Sequence, residues 1–344
     1  MKKILVTGGT GYIGSHTVVE LFEAGYTPII IDNLSNSSIG VLDQIKKITG
    51  TKPEYHNLDL CDEEQVRDFV NKNPEIEGVI HFAASKAVGE SVEKPLKYYH
   101  NNLFSLINLL NAFSDRKINF VFSSSCTVYG QPDELPVIET AEVKKAESPY
   151  GNTKQIAEEI LKETAASNPN FNIISLRYFN PVGAHKSALI GELPLGVPQN
   201  LVPFITQTAI GKREKITVYG DDYSTADGSA IRDYIHVVDL AKAHVAALKF
   251  LNTNTISDHY DVFNIGTGKG YSVLEVIRAF ENATNVKLNY EIGKRRNGDI
   301  EQVWGDITKS TRELGWTAKL GIEEMMRSAW AWEVYLRDEN PFEL

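Results

Sequence analysis

Tyr150 and Lys154 stand four residues apart, which puts both side chains on one face if the segment is helical. A phenol with an ordinary pKa of about 10 is a poor base at neutral pH, and nearby positive charge makes it a better one by stabilising the phenolate. An ammonium one helical turn away and the positive ring of a nicotinamide cofactor together supply such charge. The pair therefore suits removal of a hydroxyl proton while hydride leaves the same carbon, with Ser125 of the Ser123-Ser124-Ser125 run holding the oxygen. Tyr290 and Lys294 repeat the spacing, but in a strand-like stretch where alternate side chains face opposite ways. Tyr150 instead follows Ser148-Pro149, a helix-start signal, and leads into the good helical sequence of 155–166.

Such side chains need rigid elements to hold them. Short apolar, β-branched runs at 4–7, 27–32, 52–59, 78–83, 119–123 and 171–178 alternate with helical patterns. Alternation of this kind implies right-handed crossovers and an α/β fold with a doubly wound parallel (Rossmann) sheet, which binds ligands at the strands' carboxyl ends. The serine run ends one of these strands. The first strand is followed by Thr7-Gly8-Gly9-Thr10-Gly11-Tyr12-Ile13-Gly14. Glycines there allow a tight turn and close backbone approach to a pyrophosphate, and the helix N-terminus adds partial positive charge. Asp32 ends the second strand, where a carboxylate can accept from ribose hydroxyls. It would repel a 2′-phosphate, and no Lys or Arg occurs over 33–40, so NAD is expected rather than NADP. The later run Gly266-Thr267-Gly268-Lys269-Gly270 also precedes a helix, expected over 272–283. No acidic residue follows at a strand end, so it reads as a structural turn.

The alternation stops after Tyr178, and 180–203 is rich in Pro and Gly without periodicity. We read 1–180 as the dinucleotide-binding domain, with 237–266 returning to it, and 181–236 plus 267–344 as a smaller mixed α/β lobe for substrate. A chain of 344 residues can bury a large core, and its net charge of -10 disfavours a nucleic-acid partner. No apolar stretch approaches the roughly 20 residues that span a bilayer. The start MKKILVTGG holds too short an apolar run for a signal peptide, which points to a cytoplasmic protein. Cys61 and Cys126 are too few for a disulfide framework, and the eight histidines make no metal-ligand pattern.

Residues 7–16, His81-Phe82-Ala83 with 86–91, 123–130, 177–185, 231–239 and 295–299 resemble the extended short-chain dehydrogenase/reductase family, and within it the UDP-hexose 4-epimerases. The resemblance covers essentially the whole chain. It implies that Asp32 and Asn33 hold the adenosine ribose, Asp59 and Leu60 the adenine, and Lys86 and Asn101 the nicotinamide half, with Tyr178 nearby. Gly8, Gly11, Tyr12, Ile13, Gly14, Phe82, Ala83 and Ser123 complete the implied NAD contacts, with Tyr150 and Lys154 shared by the reaction site. Tyr150 is implied as general base, Lys154 as its tuner and Ser125 as the hydroxyl orienter. Implied substrate contacts are Asn180, Asn200, Leu201, Thr217, Tyr219, Arg232, Arg295, Asp299 and Val303, together with Lys86, Ser125 and Tyr150. Independently of the family, the forked guanidiniums of Arg232 and Arg295 suit a diphosphate.

The activity so implied is reversible inversion of a UDP-hexose at C4 through a 4-keto sugar, with no net oxidation. A sugar-nucleotide 4,6-dehydratase shares the loop and the Tyr-Lys pair, but needs further acid and base groups. Cys126 and Thr127 follow Ser125 where that resemblance would put carboxylates. A non-catalytic NAD-binding scaffold is the remaining alternative. Some relatives carry a tyrosine where this chain has Val303, so room for an N-acetyl group at the sugar 2-position is expected. The helical pattern of 96–113 is apolar on more than one face. Packing on the sheet explains that, and the resemblance adds a homodimer through two such helices.

Overall fold

The computed structural model describes residues 2–254, 256–296, 300–339 and 341–342. Strand β1 (Lys3–Thr7) is buried on both faces: Ile4 and Val6 face one hydrophobic cluster, Leu5 the other. This is the pattern of a strand in the middle of a covered parallel sheet. It is followed by α1 (Tyr12–Glu23), β2 (Thr27–Asp32), α2 (Val41–Thr49), β3 (Glu54–Asn57), α3 (Glu63–Lys72) and β4 (Ile76–His81). Helices α4 (Val88–Glu93), α5 (Pro95–Tyr99) and α6 (Ser105–Phe113), then β5 (Ile118–Ser123), α7 (Pro149–Ser167) and β6 (Phe171–Tyr178), continue the alternation. Beyond them lie β7 (Asn180–Val182), α8 (Leu201–Ala209), β8 (Ile216–Tyr219), β9 (Ile231–His236), α9 (Val237–Thr253) and β10 (Tyr260–Ile265). The chain finishes with β11 (Gly270–Ser272), α10 (Val273–Thr284), β12 (Tyr290–Gly293), β13 (Gln302–Val303), α11 (Thr308–Glu313) and α12 (Ile322–Asp338).

The large sheet runs β10-β6-β5-β4-β1-β2-β3, all parallel. Strand order reverses between β1 and β4, and that switch point opens a crevice at the carboxyl ends. Helices α1, α2 and α9 cover one face, and α3, α6 and α7 the other. Strand β10 joins the sheet beside β6, far along the chain from its partner. Away from this sheet, β7, β11 and β13 associate with β9, β12 pairs with β8, and α8, α10 and α12 share a third core.

Two expectations need correction. The strand anticipated over 52–59 is only Glu54–Asn57, so Asp59 and Leu60 lie just beyond it, in the loop over the sheet's end. The helix expected over 96–113 is interrupted by a π-helical turn, His100–Phe104, which carries Asn101 and Asn102. Such a turn inserts a residue into the helical register and is common where helices serve a site. The Gly266–Gly270 turn is structural in geometry: the Thr267 and Gly268 amides donate to buried Asp233, at 2.8 and 3.1 Å. Among the described residues, no helix is long and apolar enough to cross a membrane.

Burial holds several histidines neutral. His16 and His81 are pushed down to about 3, and His236 and His244 to about 4, in each case mainly by desolvation. The unfolded chain binds protons at its ordinary histidine pKa of about 6.5, so it takes up more protons than the native state as pH falls below that value. The stability tied to neutral burial is thus complete above about pH 6.5 and lost from there toward pH 4. Thermal unfolding should drop by about 5 °C or more between pH 7 and pH 5. A flat profile over that range would contradict the burial.

Candidate active site

The dinucleotide end of the crevice starts with Gly8, whose φ of 69° is open to glycine and whose amide donates to the Ile31 carbonyl at 2.8 Å. A Cβ on Gly14 would lie 2.2 Å from the Gly8 carbonyl oxygen. Only glycine lets α1 start this close to β1, and Gly11 at its N-cap offers no side-chain cap. The result is a backbone cradle with the helix's positive end facing the crevice, a shape and charge that fit a pyrophosphate.

Asp32 is held in position by the loops it serves. Its carboxylate accepts from the Thr10 amide at 3.2 Å, the Leu34 amide at 2.9 Å and the Ser37 hydroxyl at 3.1 Å. Asn33 reaches Asp59 at 3.4 Å, and Asn108 donates to the Leu60 carbonyl at 2.9 Å. Phe82 and Ala83 cross directly over Gly8, where a Cβ would come within 2.9 Å of the Ala83 nitrogen. A dinucleotide's ribose and adenine are thus offered one fixed carboxylate and a loop already ordered around it.

At the reacting end, Ser148 caps α7 by accepting from the Gly151 amide at 3.1 Å, with Pro149 in the first turn. This start sets the phase of the helix, so Tyr150 and Lys154 both face the buried end of β5. Lys154 donates to the Ser123 carbonyl at 2.7 Å and lies 4.6 Å from the centre of the Phe122 ring. Burial pulls its ammonium down to about 8, partly opposed by Glu158 one turn further on. Glu158 is bound by Arg177 through contacts of 2.6 to 3.1 Å and by the Ser124 hydroxyl at 2.5 Å. Breaking a buried pair of this kind costs on the order of 3–5 kcal/mol, so α7 is locked to β5 and β6 behind the site.

For Tyr150 the sequence calls for two cations, the Lys154 ammonium and the ring of a bound nicotinamide. In the protein alone burial dominates and raises it well above 10, with Tyr178 adding to the shift and the Ser125 hydroxyl opposing it. The Lys154 ammonium is directed to the Ser123 carbonyl instead. Desolvation exceeds the help of a single ammonium already committed elsewhere, so ionisation of Tyr150 calls for a second cation in the crevice.

Asn102, on the π-helical turn, was not singled out by the sequence. Its side chain donates to the Ser85 carbonyl and the Thr153 hydroxyl, both at 3.0 Å, and accepts from the Ser85 amide at 2.8 Å and from Asn101 at 3.0 Å. Thr153 donates in turn to the Tyr150 carbonyl at 2.7 Å. The loop bearing Lys86, the turn bearing Asn101 and the helix bearing Tyr150 therefore meet on one buried amide. A marker for it would have been the Asn-Asn pair, but nothing in its spacing reveals the contacts.

The other residues expected to contact substrate lie on the smaller sheets, at the start of α8 and in the segment after β12. Asn180 pairs with Tyr234 in register, and Arg232 lies opposite Val303 between β9 and β13. Val303 is buried with Val128, Tyr129, Val137 and Phe179. Arg232 also acts by charge on Cys126, next to Ser125, which brings β9 up to the serine run; burial pushes the Cys126 thiol up to about 12. Asn200 and Leu201 start α8, and Thr217 and Tyr219 lie on β8. Arg295 ion-pairs with Asp222 at 2.6 Å and lies 4.0 Å from the Tyr223 ring centre. The neighbouring Arg296, passed over in the sequence, lies 4.2 Å from the Tyr219 ring centre. Asp299 falls outside the described residues. Tyr290 and Lys294 belong to β12 and the segment after it, away from the large sheet. Among the described residues, no cluster of three or more His, Cys, Asp or Glu could hold a metal ion.

A doubly wound sheet with a glycine cradle at its switch point, and a helix presenting Tyr and Lys four apart beside a strand-end serine, defines a short-chain dehydrogenase/reductase-type protein. The family model described as GDP-mannose 4,6 dehydratase matches residues 5–329. The UDP-glucose 4-epimerase of Dictyostelium discoideum is 49% identical over 332 residues, covering 96% of this chain and 95% of that protein. The crystal structure of the Stenotrophomonas maltophila UDP-glucose-4-epimerase with bound NAD and formylated UDP-arabinopyranose matches with a TM-score of 0.93. It is 46% identical and covers 98% of this chain and 99% of that one. The Bifidobacterium longum UDP-glucose 4-epimerase, in complex with NAD+ and UDP, gives 0.92 and 45% identity, covering 99% of this chain and 100% of that one. The chain belongs to the UDP-glucose 4-epimerase family, within the wider group that the dehydratase model describes.

Replacing Asn102 by Ala leaves the Ser85 amide and Thr153 hydroxyl short of partners. It should cost about 1–3 kcal/mol of stability and lower kcat on UDP-galactose by more than KM changes. Unaltered melting and kinetics would show that the three segments do not depend on this amide.

Proposed function

We propose that this chain interconverts UDP-glucose and UDP-galactose by inverting C4, with NAD retained through the cycle. The observation that carries the proposal is the convergence of Ser125, Tyr150 and Lys154 at the carboxyl edge of a sheet whose glycine cradle fits a dinucleotide. When bound, NAD supplies reversible hydride acceptance, so that the sugar passes through a 4-keto form and returns with either configuration. Bound there, the oxidised ring would supply the second cation that ionisation of Tyr150 calls for. Tyr150 takes the 4-hydroxyl proton and later returns one, Ser125 orients that hydroxyl, and Lys154 holds the ribose and the strand end together. Asp32, Asn33, Asp59 and Leu60 hold the adenosine end. Arg232, Arg295, Asn180, Asn200, Leu201, Thr217 and Tyr219 hold the UDP, with Asp299 completing that set.

Inversion requires the hexose to turn while its anchor stays, so binding energy belongs on uridine and diphosphate rather than on the sugar. This fits a division in which 1–180 with 237–266 bind NAD and 181–236 with 267–344 bind the UDP-sugar. The family resemblance sets Val303 at the wall beside the sugar 2-position, and a side chain this small there supports activity on the N-acetylated pair. Val92, Leu96 and Phe104 are exposed apolar side chains on α4, α5 and the π-helical turn, at 63%, 81% and 50%. Their exposure supports a homodimer formed through these helices. A place in galactose metabolism fits the activity proposed, and the short apolar run of MKKILVTGG supports a cytoplasmic protein.

Tyr150→Phe should lower kcat for UDP-galactose by roughly 10²–10⁴-fold with the fold intact. Wild-type protein that returns UDP-galactose unchanged would overturn the reading. Val303→Tyr should depress turnover of UDP-N-acetylglucosamine while sparing UDP-glucose, and equal rates on both would refute the small-wall argument. Light scattering should report a dimer for the native chain and a monomer for Leu96→Glu combined with Phe104→Glu. A native monomer would rule out the helix interface.

A further inference from the structure

Glu192 lies in the irregular stretch between β7 and α8 and was not singled out by the sequence. One oxygen of its carboxylate accepts from the Lys86 ammonium at 3.2 Å and from the Asn200 side-chain amide at 2.7 Å. These two donors come from opposite sides of the crevice: Lys86 from the loop after β4, Asn200 from the start of α8. The carboxylate is only 12% exposed. Its backbone is fixed from behind, because its carbonyl accepts from the Trp332 indole at 2.8 Å. Gly191 is pressed so closely on that ring that a Cβ would sit 2.5 Å from it. Glu192 is therefore an acceptor held in place by the fold.

Asn200 occupies the N-cap of α8 and makes no side-chain cap bond; its Nδ2 donates to Glu192, which fixes the orientation of the side chain. A free Asn at this position ordinarily bonds back to its own helix. An ammonium has three N–H donors and a side-chain amide two, so each keeps a donor after serving Glu192. We propose that Glu192 is a positioning residue for nucleotide-sugar binding: it holds Lys86 and Asn200 at one oxygen so that their remaining donors face the UDP moiety. The inference deepens the epimerase reading and rests on it.

The test is calorimetric titration of UDP into NAD-loaded protein, which does not depend on turnover. Glu192→Ala should weaken UDP about tenfold, while Glu192→Gln, whose amide oxygen can still accept from both donors, should stay within about threefold of wild type. Melting temperatures of both should match wild type, because the backbone contacts with Trp332 remain. In the assay, E192A should raise KM for UDP-galactose with kcat within about twofold. Unchanged UDP affinity in E192A, or E192Q as weak as E192A, overturns the proposal. Should E192A not fold, Glu192→Asp draws the oxygens back by one methylene: weakened UDP binding supports the role and unchanged binding overturns it. A wild-type protein that binds UDP but does not convert UDP-galactose would sink the epimerase reading and leave the positioning role to be judged on UDP affinity alone.

Discussion

The structure depends on one electrostatic constraint: a phenol and an ammonium are buried side by side at the end of a strand. Burial disfavours the charged form of each, raising Tyr150 and lowering Lys154. The shift of Lys154 from 10.5 to about 8 corresponds to roughly 3 kcal/mol against its charged form. Neither group is at its working charge by chance of exposure. Each takes its state from what is placed next to it, so a tyrosine kept neutral by burial ionises more readily beside a cation.

The rest of the molecule serves to keep that pair in place. The parallel sheet brings the glycine cradle and the serine run to the same edge, since both follow strands on either side of the switch point. Glu158 and Arg177 fix α7 from behind, and Asn102 fixes it from the side. These are buried, fully committed polar contacts, strong where every partner is present and costly where one is lost.

Much of this was legible in the chain because it is local. The glycine loop, Asp32 at a strand end, and Tyr150 four before Lys154 each depend on short spacings, and the structure places each on the element expected. What could not be read depends on long-range contact. Asn102 and Glu192 look like ordinary loop and helix polar residues until the fold brings Ser85, Thr153, Lys86 and Asn200 to them. The π-helical turn was hidden because its apolar pattern resembles that of a continuous helix. Of the Arg295-Arg296 pair, composition cannot tell which guanidinium pairs with Asp222 and which lies over Tyr219.

The most direct test is an ultraviolet difference titration of the Tyr150 phenolate, taken as wild type minus Tyr150→Phe, in protein stripped of NAD and in protein loaded with it. The account predicts no Tyr150 ionisation below about pH 10 in the stripped protein and ionisation at a distinctly lower pH in the loaded protein. Ionisation at the same pH in both would contradict it, because the charge of the bound ring would then have no part in making Tyr150 a base.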